Sequence, residues 1–217
     1  MTGDLMKVNV LATQTIANVS DAVAAKLNLP KGCRSIGILT TDCDDATYCA
    51  LDEATKAAAV EVIYGKSLYA GSSNASTKYA GEVIGILAGP TPAEVASGLR
   101  AAVEFLEGGV GFHSANADDS VVYFAYTVSR TGTYLSQQAG VKEGEALAYL
   151  VAPPLEAMVG LDEAMKAADV TLVELFAPPS PTNFGGGLLT GTQSACKAAC
   201  AAFAQAVIDV AARPREV

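Results

Sequence analysis

Residues 51–60 read LDEATKAAAV, and residues 161–170 read LDEAMKAADV: eight of ten positions are identical, 110 residues apart in a chain of 217. A repeat at half the chain length constrains the fold before any local pattern does, because each copy must make its own version of one unit. At the same offset SIGILTT (35–41) lies opposite EALAYLV (145–151), and AVEVIYG is followed in the second half by its counterpart DVTLVELFA. Further on, GILAGPTPAEVASGL (85–99) matches GLLTGTQSACKAACA (187–201) at an offset of 102, so the first copy carries eight extra residues. They fall in SLYAGSSNASTKYAG, whose Gly, Ser and Asn mark a loop. Upstream, VLATQTIANVSDAVAAKLNL (10–29) lies opposite VYFAYTVSRTGTYLSQQAGV (122–141) at an offset of 112. Each half reads strand, irregular segment, strand, helix, strand, loop, strand, helix. The glycine-rich EGGVGFHSANADDS (107–120) joins them. The expected fold class is α+β, with one domain over 1–110 and a second over 111–217.

Inside the repeated helix, Leu51, Ala54, Ala58 and Val62 recur at spacings that place them on one face. Asp52 and Lys56 stand four apart and read as a solvent-side pair, which Asp162 and Lys166 reproduce. The closing helices, expected over 92–105 and 193–210, are rich in alanine. Small side chains there let a helix lie close to a sheet or to a neighbouring subunit.

Only 17% of the residues are charged, against roughly 25% in an average soluble domain. Uncharged surface is usually covered surface, so the shortage points to assembly. The longest uncharged stretch, 175–196, holds three prolines, an asparagine and a glutamine, and does not read as a membrane span. The start, MTGDLMKVNV, lacks the basic and apolar regions of a secretory signal. Five cysteines without a regular framework fit a reducing compartment. A net charge of −9 excludes nucleic acid as an expected partner and favours cations at any opening that several copies share.

The acidic run DCDD opens the first repeated helix. Asp42 is expected to cap it, with Asp44 and Asp45 in its first turn facing the positive end of the helix dipole. The second copy has Pro-Pro-Leu at 153–155, so a helix of this type forms without the acids. A cation site is the functional alternative, since carboxylates and an aromatic face hold an ammonium group. Cys196 and Cys200 are one helical turn apart but lack companion ligands, and a buried place in an alanine-rich helix is the expectation; no metal site is assigned. The one histidine, His113, sits by a glycine and reads as surface. GGLLTGT has the glycine spacing of a phosphate loop, but Thr192 stands where the lysine is required. No catalytic residue is assigned, and the chain is not expected to be an enzyme.

The second half, from ALAYLV through GTQSACKAACAAFAQAV, resembles a bacterial microcompartment (BMC) shell domain, with two strands moved ahead of the block as in the circularly permuted form. With DDATY, YGKSLYAG, GEV, SRTG and YLVAPPLEA, the whole chain is similar to the tandem, circularly permuted shell proteins of ethanolamine-utilisation microcompartments. The resemblance implies two ferredoxin-like BMC domains and a homotrimer that mimics a hexamer. It also implies packing beside other shell proteins, in a microcompartment shell in the bacterial cytoplasm. It implies a small pore in each subunit that binds or passes ethanolamine, lined by Asp44, Asp45, Glu82 and Phe112, with Thr182, Asn183 and Phe184 facing it from the second domain. The loops YGKSLYAGSSNASTKYAG and PPSPTNFGGG would surround a gated central pore, with Tyr69, Gly71, Thr182, Phe184 and Gly185 at the gate. Their glycines, including Gly65, Gly81, Gly186 and Gly187, are expected to supply backbone freedom. No cofactor is required on this reading, and cobalamin is a candidate ligand of the gate. The competing reading is a non-assembling sensor that binds an amine or cobalamin; an enzyme with an unrecognised site is a third.

Overall fold

The computed structural model describes residues 1–67, 83–178 and 183–215. The chain divides into two compact units: one of Val8–Val110 with Gly132–Leu135, and one of Met1–Lys7, Gly111–Thr131 and Ser136–Val217.

The first unit runs β1 (Val10–Ile16), α1 (Asp21–Lys26), β2 (Ser35–Thr41), α2 (Asp44–Ala57), β3 (Glu61–Ser67), β4 (Val83–Gly89) and α3 (Pro92–Glu107). Its sheet is antiparallel in the order β1-β2-β4-β3. Alternation along β2 and β4 sorts the two faces. Ile36 pairs with Ala88 and Ile38 with Ile86, and these pack with Val19, Leu27 and Leu29 around α1. The other face carries α2 and α3, and glycines set how closely they approach. A Cβ on Gly37 would stand 2.7 Å from Val95, and one on Gly85 would stand 2.7 Å from Leu51. Helix α3 starts as its sequence dictates: Pro92 opens it and the Thr91 hydroxyl accepts from the Glu94 amide at 3.2 Å.

The second unit holds β5 (His113–Ser114), β6 (Val122–Val128), α4 (Thr133–Ala139, whose first residues lie in the other unit), β7 (Ala146–Ala152), α5 (Pro154–Ala167), β8 (Val170–Phe176), β9 (Gly185–Gly191) and α6 (Gln193–Ala212). The sheet order is β5-β6-β7-β9-β8. Phe203 of α6 is the hub of the core. It is fully buried, and a Cβ on Gly160 of α5 would stand 2.7 Å from its ring. By length and a hydropathy of 1.4, α6 could cross a bilayer; here Cys196, Ala199, Cys200, Phe203 and Val207 pack into the core. The two halves share a fine irregularity as well. The β3–β4 ladder slips between Val62 and Tyr64, and the β8–β9 ladder slips between Leu172 and Glu174, 110 residues on. Bulges of this kind are built-in features, and this one is written twice.

Four expectations are corrected. The segments read as irregular contain short helices, α1 and α4, of six and seven residues, too short for a periodic apolar signal to show. Asp42 does not cap α2: the N-cap is Cys43, and Asp42 accepts from the Asn9 backbone N–H at 2.8 Å and its Nδ2 at 2.6 Å. Gly65 and residues 185–187 are strand residues rather than loop glycines. Asp52 is fully buried, whereas Asp162 is exposed. The cause is the segment Gly132–Leu135: the Asp52 carboxylate accepts from the Gly132 amide at 2.7 Å and from the Leu135 amide at 2.8 Å. Thr55 Oγ1 accepts from the Thr133 amide at 3.1 Å beside them.

Candidate functional site

The acidic end of α2 is built by β2 and the turn that follows it. Thr41 and Thr47 are fully buried and their hydroxyls lie 2.6 Å apart. Thr47 Oγ1 donates to the Cys43 carbonyl at 2.7 Å, and Thr41 Oγ1 accepts from the Cys43 amide at 3.2 Å. This fixes the N-cap and sets Asp44 and Asp45 in the first turn. One Asp44 oxygen accepts from the Asp45 amide at 3.0 Å and the other from the Ser67 hydroxyl at 2.7 Å. Ser67 Oγ also lies 2.6 Å from the Tyr48 hydroxyl. A serine has one proton to give, so with that proton on Asp44 the Tyr48 hydroxyl is the donor to Ser67. Burial, and then the nearby acids, push Tyr48 up to about 12, which keeps that donor protonated. Asp45 is buried at the same turn, and burial raises the Cys43 and Cys49 thiols well above their ordinary value. The acids therefore stand on a rigid chain of hydrogen bonds, with thiols that stay neutral.

Tyr48 and Ser67 were not singled out from the sequence. The only local signal was Tyr48 in DDATY, one helical turn after Asp44; Ser67 comes from a strand 23 residues away.

Of the other expected site residues, Glu82, Thr182, Tyr69 and Gly71 lie outside the described residues. Phe112, Asn183, Phe184 and Gly185 belong to the second unit. Phe112 and Phe184 do come together, with ring centroids 5.6 Å apart, and Phe112 also packs on Phe124 at 5.5 Å. Asn183 is exposed with φ of 65°, a conformation asparagine tolerates better than most residues, so the backbone alone explains it. Gly185 is buried against Pro178. A buried glycine and a ring already packed on Phe112 make no bed for a corrin-sized macrocycle, and no cobalamin is assigned to them. His113 is half-buried rather than surface: its ring stacks on Tyr123 at 5.7 Å, and burial lowers its pKa. Cys196 and Cys200 are buried in the core, Cys200 accepting from Thr127 Oγ1 at 3.4 Å. Among the described residues no group of three His, Cys, Asp or Glu side chains could hold a metal ion.

Two repeated units, each a four-membered ladder backed by two helices with small side chains at their seams, define a tandem shell-domain protein. The BMC domain model matches residues 35–117. The chain is 65% identical over 214 residues to the bacterial microcompartment shell protein EutL of Clostridium perfringens, covering 99% of each. It is 53% identical to EutL of Salmonella typhimurium, covering 97% of this chain and 96% of that one. The crystal structure of ethanolamine utilization protein EutL from Leptotrichia buccalis superposes with a TM-score of 0.98 at 66% identity, over 100% of both chains. The chain belongs to the EutL family of bacterial microcompartment shell proteins. Its role is structural, as a building block of a protein shell in the bacterial cytoplasm.

Proposed function

We propose that three copies of the chain close into one shell tile, beside other shell proteins, and that Asp44 and Asp45 line a small opening that binds and passes a protonated amine, ethanolamine above all. One observation carries the lining: two carboxylates open α2 on a hydrogen-bonded support, where α5 begins without either of them. The acids are thus not needed to make the helix, and their charge is available to a ligand. An ammonium and a hydroxyl suit carboxylate acceptors, and the net charge of −9 draws cations towards the tile. Phe112, Asn183 and Phe184 are the described residues that would complete the lining. The tile makes and breaks no covalent bond. A gate at a central pore would have to draw its moving parts from 68–82 and 179–182, because residues 185–187 are strand.

Native mass spectrometry and calorimetry test this together. The expected particle is three times the 22.1 kDa chain. Asp45→Asn should leave that particle intact and weaken ethanolamine binding about tenfold to a hundredfold, the loss of one charge-assisted hydrogen bond. A stable single chain removes the tile, and unchanged binding by the variant removes the acidic lining.

A further inference from the structure

The face of α2 that Gly132–Leu135 covers has a bare counterpart on α5. Asp45, Cys49 and Asp52 are buried, while Leu155, Val159 and Asp162, each 110 residues later, are exposed. Met158 and Met165 are exposed on the same side of α5. The carboxylate at the centre of this face is 0% exposed in Asp52 and 63% exposed in Asp162. The lysine pattern is the same in both helices: Lys56 pairs with Asp52 and Glu53, and Lys166 with Asp162 and Glu163. Since Asp52 takes two backbone amides while Lys56 stays beside it, the Lys166 pairing does not bar Asp162 from doing so.

The covering segment has a counterpart too. Residues 20–23 stand 112 positions before Gly132–Leu135, each segment following an outer strand and starting a short helix. Leu135 is 2% exposed, and Val23, its equivalent, is 45% exposed. One contact is therefore closed within the first unit, and both halves of its repeat are left open. The open halves match as the closed ones do, carboxylate to backbone amides and apolar side chain to apolar face. One position differs. A Cβ on Gly132 would meet Thr55 Oγ1 at 2.2 Å; in the repeat Ser20 carries that Cβ, and Met165, an unbranched and adaptable side chain, replaces Thr55.

We propose that α5 of one copy receives residues 20–23 of a second copy of this chain, with Asp162 accepting that segment's backbone amides. This rests on the reading of the chain as a self-assembling tile, and it names the surface by which the tile closes. Each chain offers one α5 face and one 20–23 segment, so the contact is head-to-tail and forms a ring when the rotation closes.

The test uses Asp162→Arg and Val23→Arg, alone and mixed, followed by native mass spectrometry at one protein concentration. Both residues are exposed in the single chain, so circular dichroism of each variant should match the parent; Val159→Arg on the same face replaces Asp162→Arg if that variant does not fold. Each variant alone should lose assembly by at least about tenfold, a lost interaction of about 1.4 kcal/mol, and run as single chains of 22.1 kDa. An equimolar mixture should give a two-chain species and no larger ring, because one intact α5 face and one intact 20–23 segment survive between the two variants. Variants that assemble like the parent, or a mixture that stays single-chain, overturn this interface and leave the tile standing. A parent chain that does not assemble overturns both.

Discussion

Asp52→Ala is expected to lower stability by about 3–5 kcal/mol, the loss seen when one partner of a buried charged network is removed. In a chain of this size that corresponds to a fall in Tm on the order of 10 °C. The side chain is fully buried, accepts the Gly132 and Leu135 amides at 2.7 and 2.8 Å, and lies 3.4 Å from Lys56 Nζ. Alanine leaves two buried N–H groups without their acceptor, and each such orphan costs about 1–3 kcal/mol. Asn at the same position keeps one acceptor oxygen and turns an N–H towards the other donor, so its loss should be intermediate. Urea unfolding of the two variants checks this. A loss below about 1 kcal/mol for Asp52→Ala would mean that the carboxylate does not hold the segment.

This residue also shows where sequence reading stops. The duplication was legible because ten residues of helix repeat nearly unchanged, and the strands around them follow from apolar runs at matching offsets. By the same logic Asp52 and Asp162 looked alike, each four residues before a lysine. They differ because the first meets a partner 80 residues away in sequence, and no local pattern reports that. The acidic turn was half legible. Asp44 and Asp45 stood out as an unneeded pair of charges, while the support from Ser67 and Tyr48 arises only when β3 is laid beside α2. Asp42 looked like the cap because aspartate commonly is one; Asn9 took it instead.

The glycines near residue 185 give the second large expectation, and they separate two meanings of glycine. A glycine can be needed for its backbone freedom or for its missing side chain. The described glycines with positive φ are Gly3, Gly32, Gly109, Gly140 and Gly144, and Gly186 is not among them. It sits in β9 opposite Val151 of β7, and a Cβ there would stand 1.9 Å from the Leu150 carbonyl oxygen and 2.9 Å from the Val151 Cα. Both neighbours are backbone, so neither can rotate away, and the central strands of the sheet would have to part. Gly186→Ala should therefore cost about 3 kcal/mol or more, at the upper end of overpacking effects, and lower Tm by about 6–12 °C. Gly98→Ala is the contrast: its Cβ would meet the Val60 and Leu87 side chains at 3.0 and 3.3 Å, and alanine favours the helix by about 1 kcal/mol, so little net change is expected. Thermal unfolding of both variants decides the matter. If Gly186→Ala melts with the parent, β9 is loose enough at that point to yield, and residues 185–187 regain the hinge role that their place in the strand denies them.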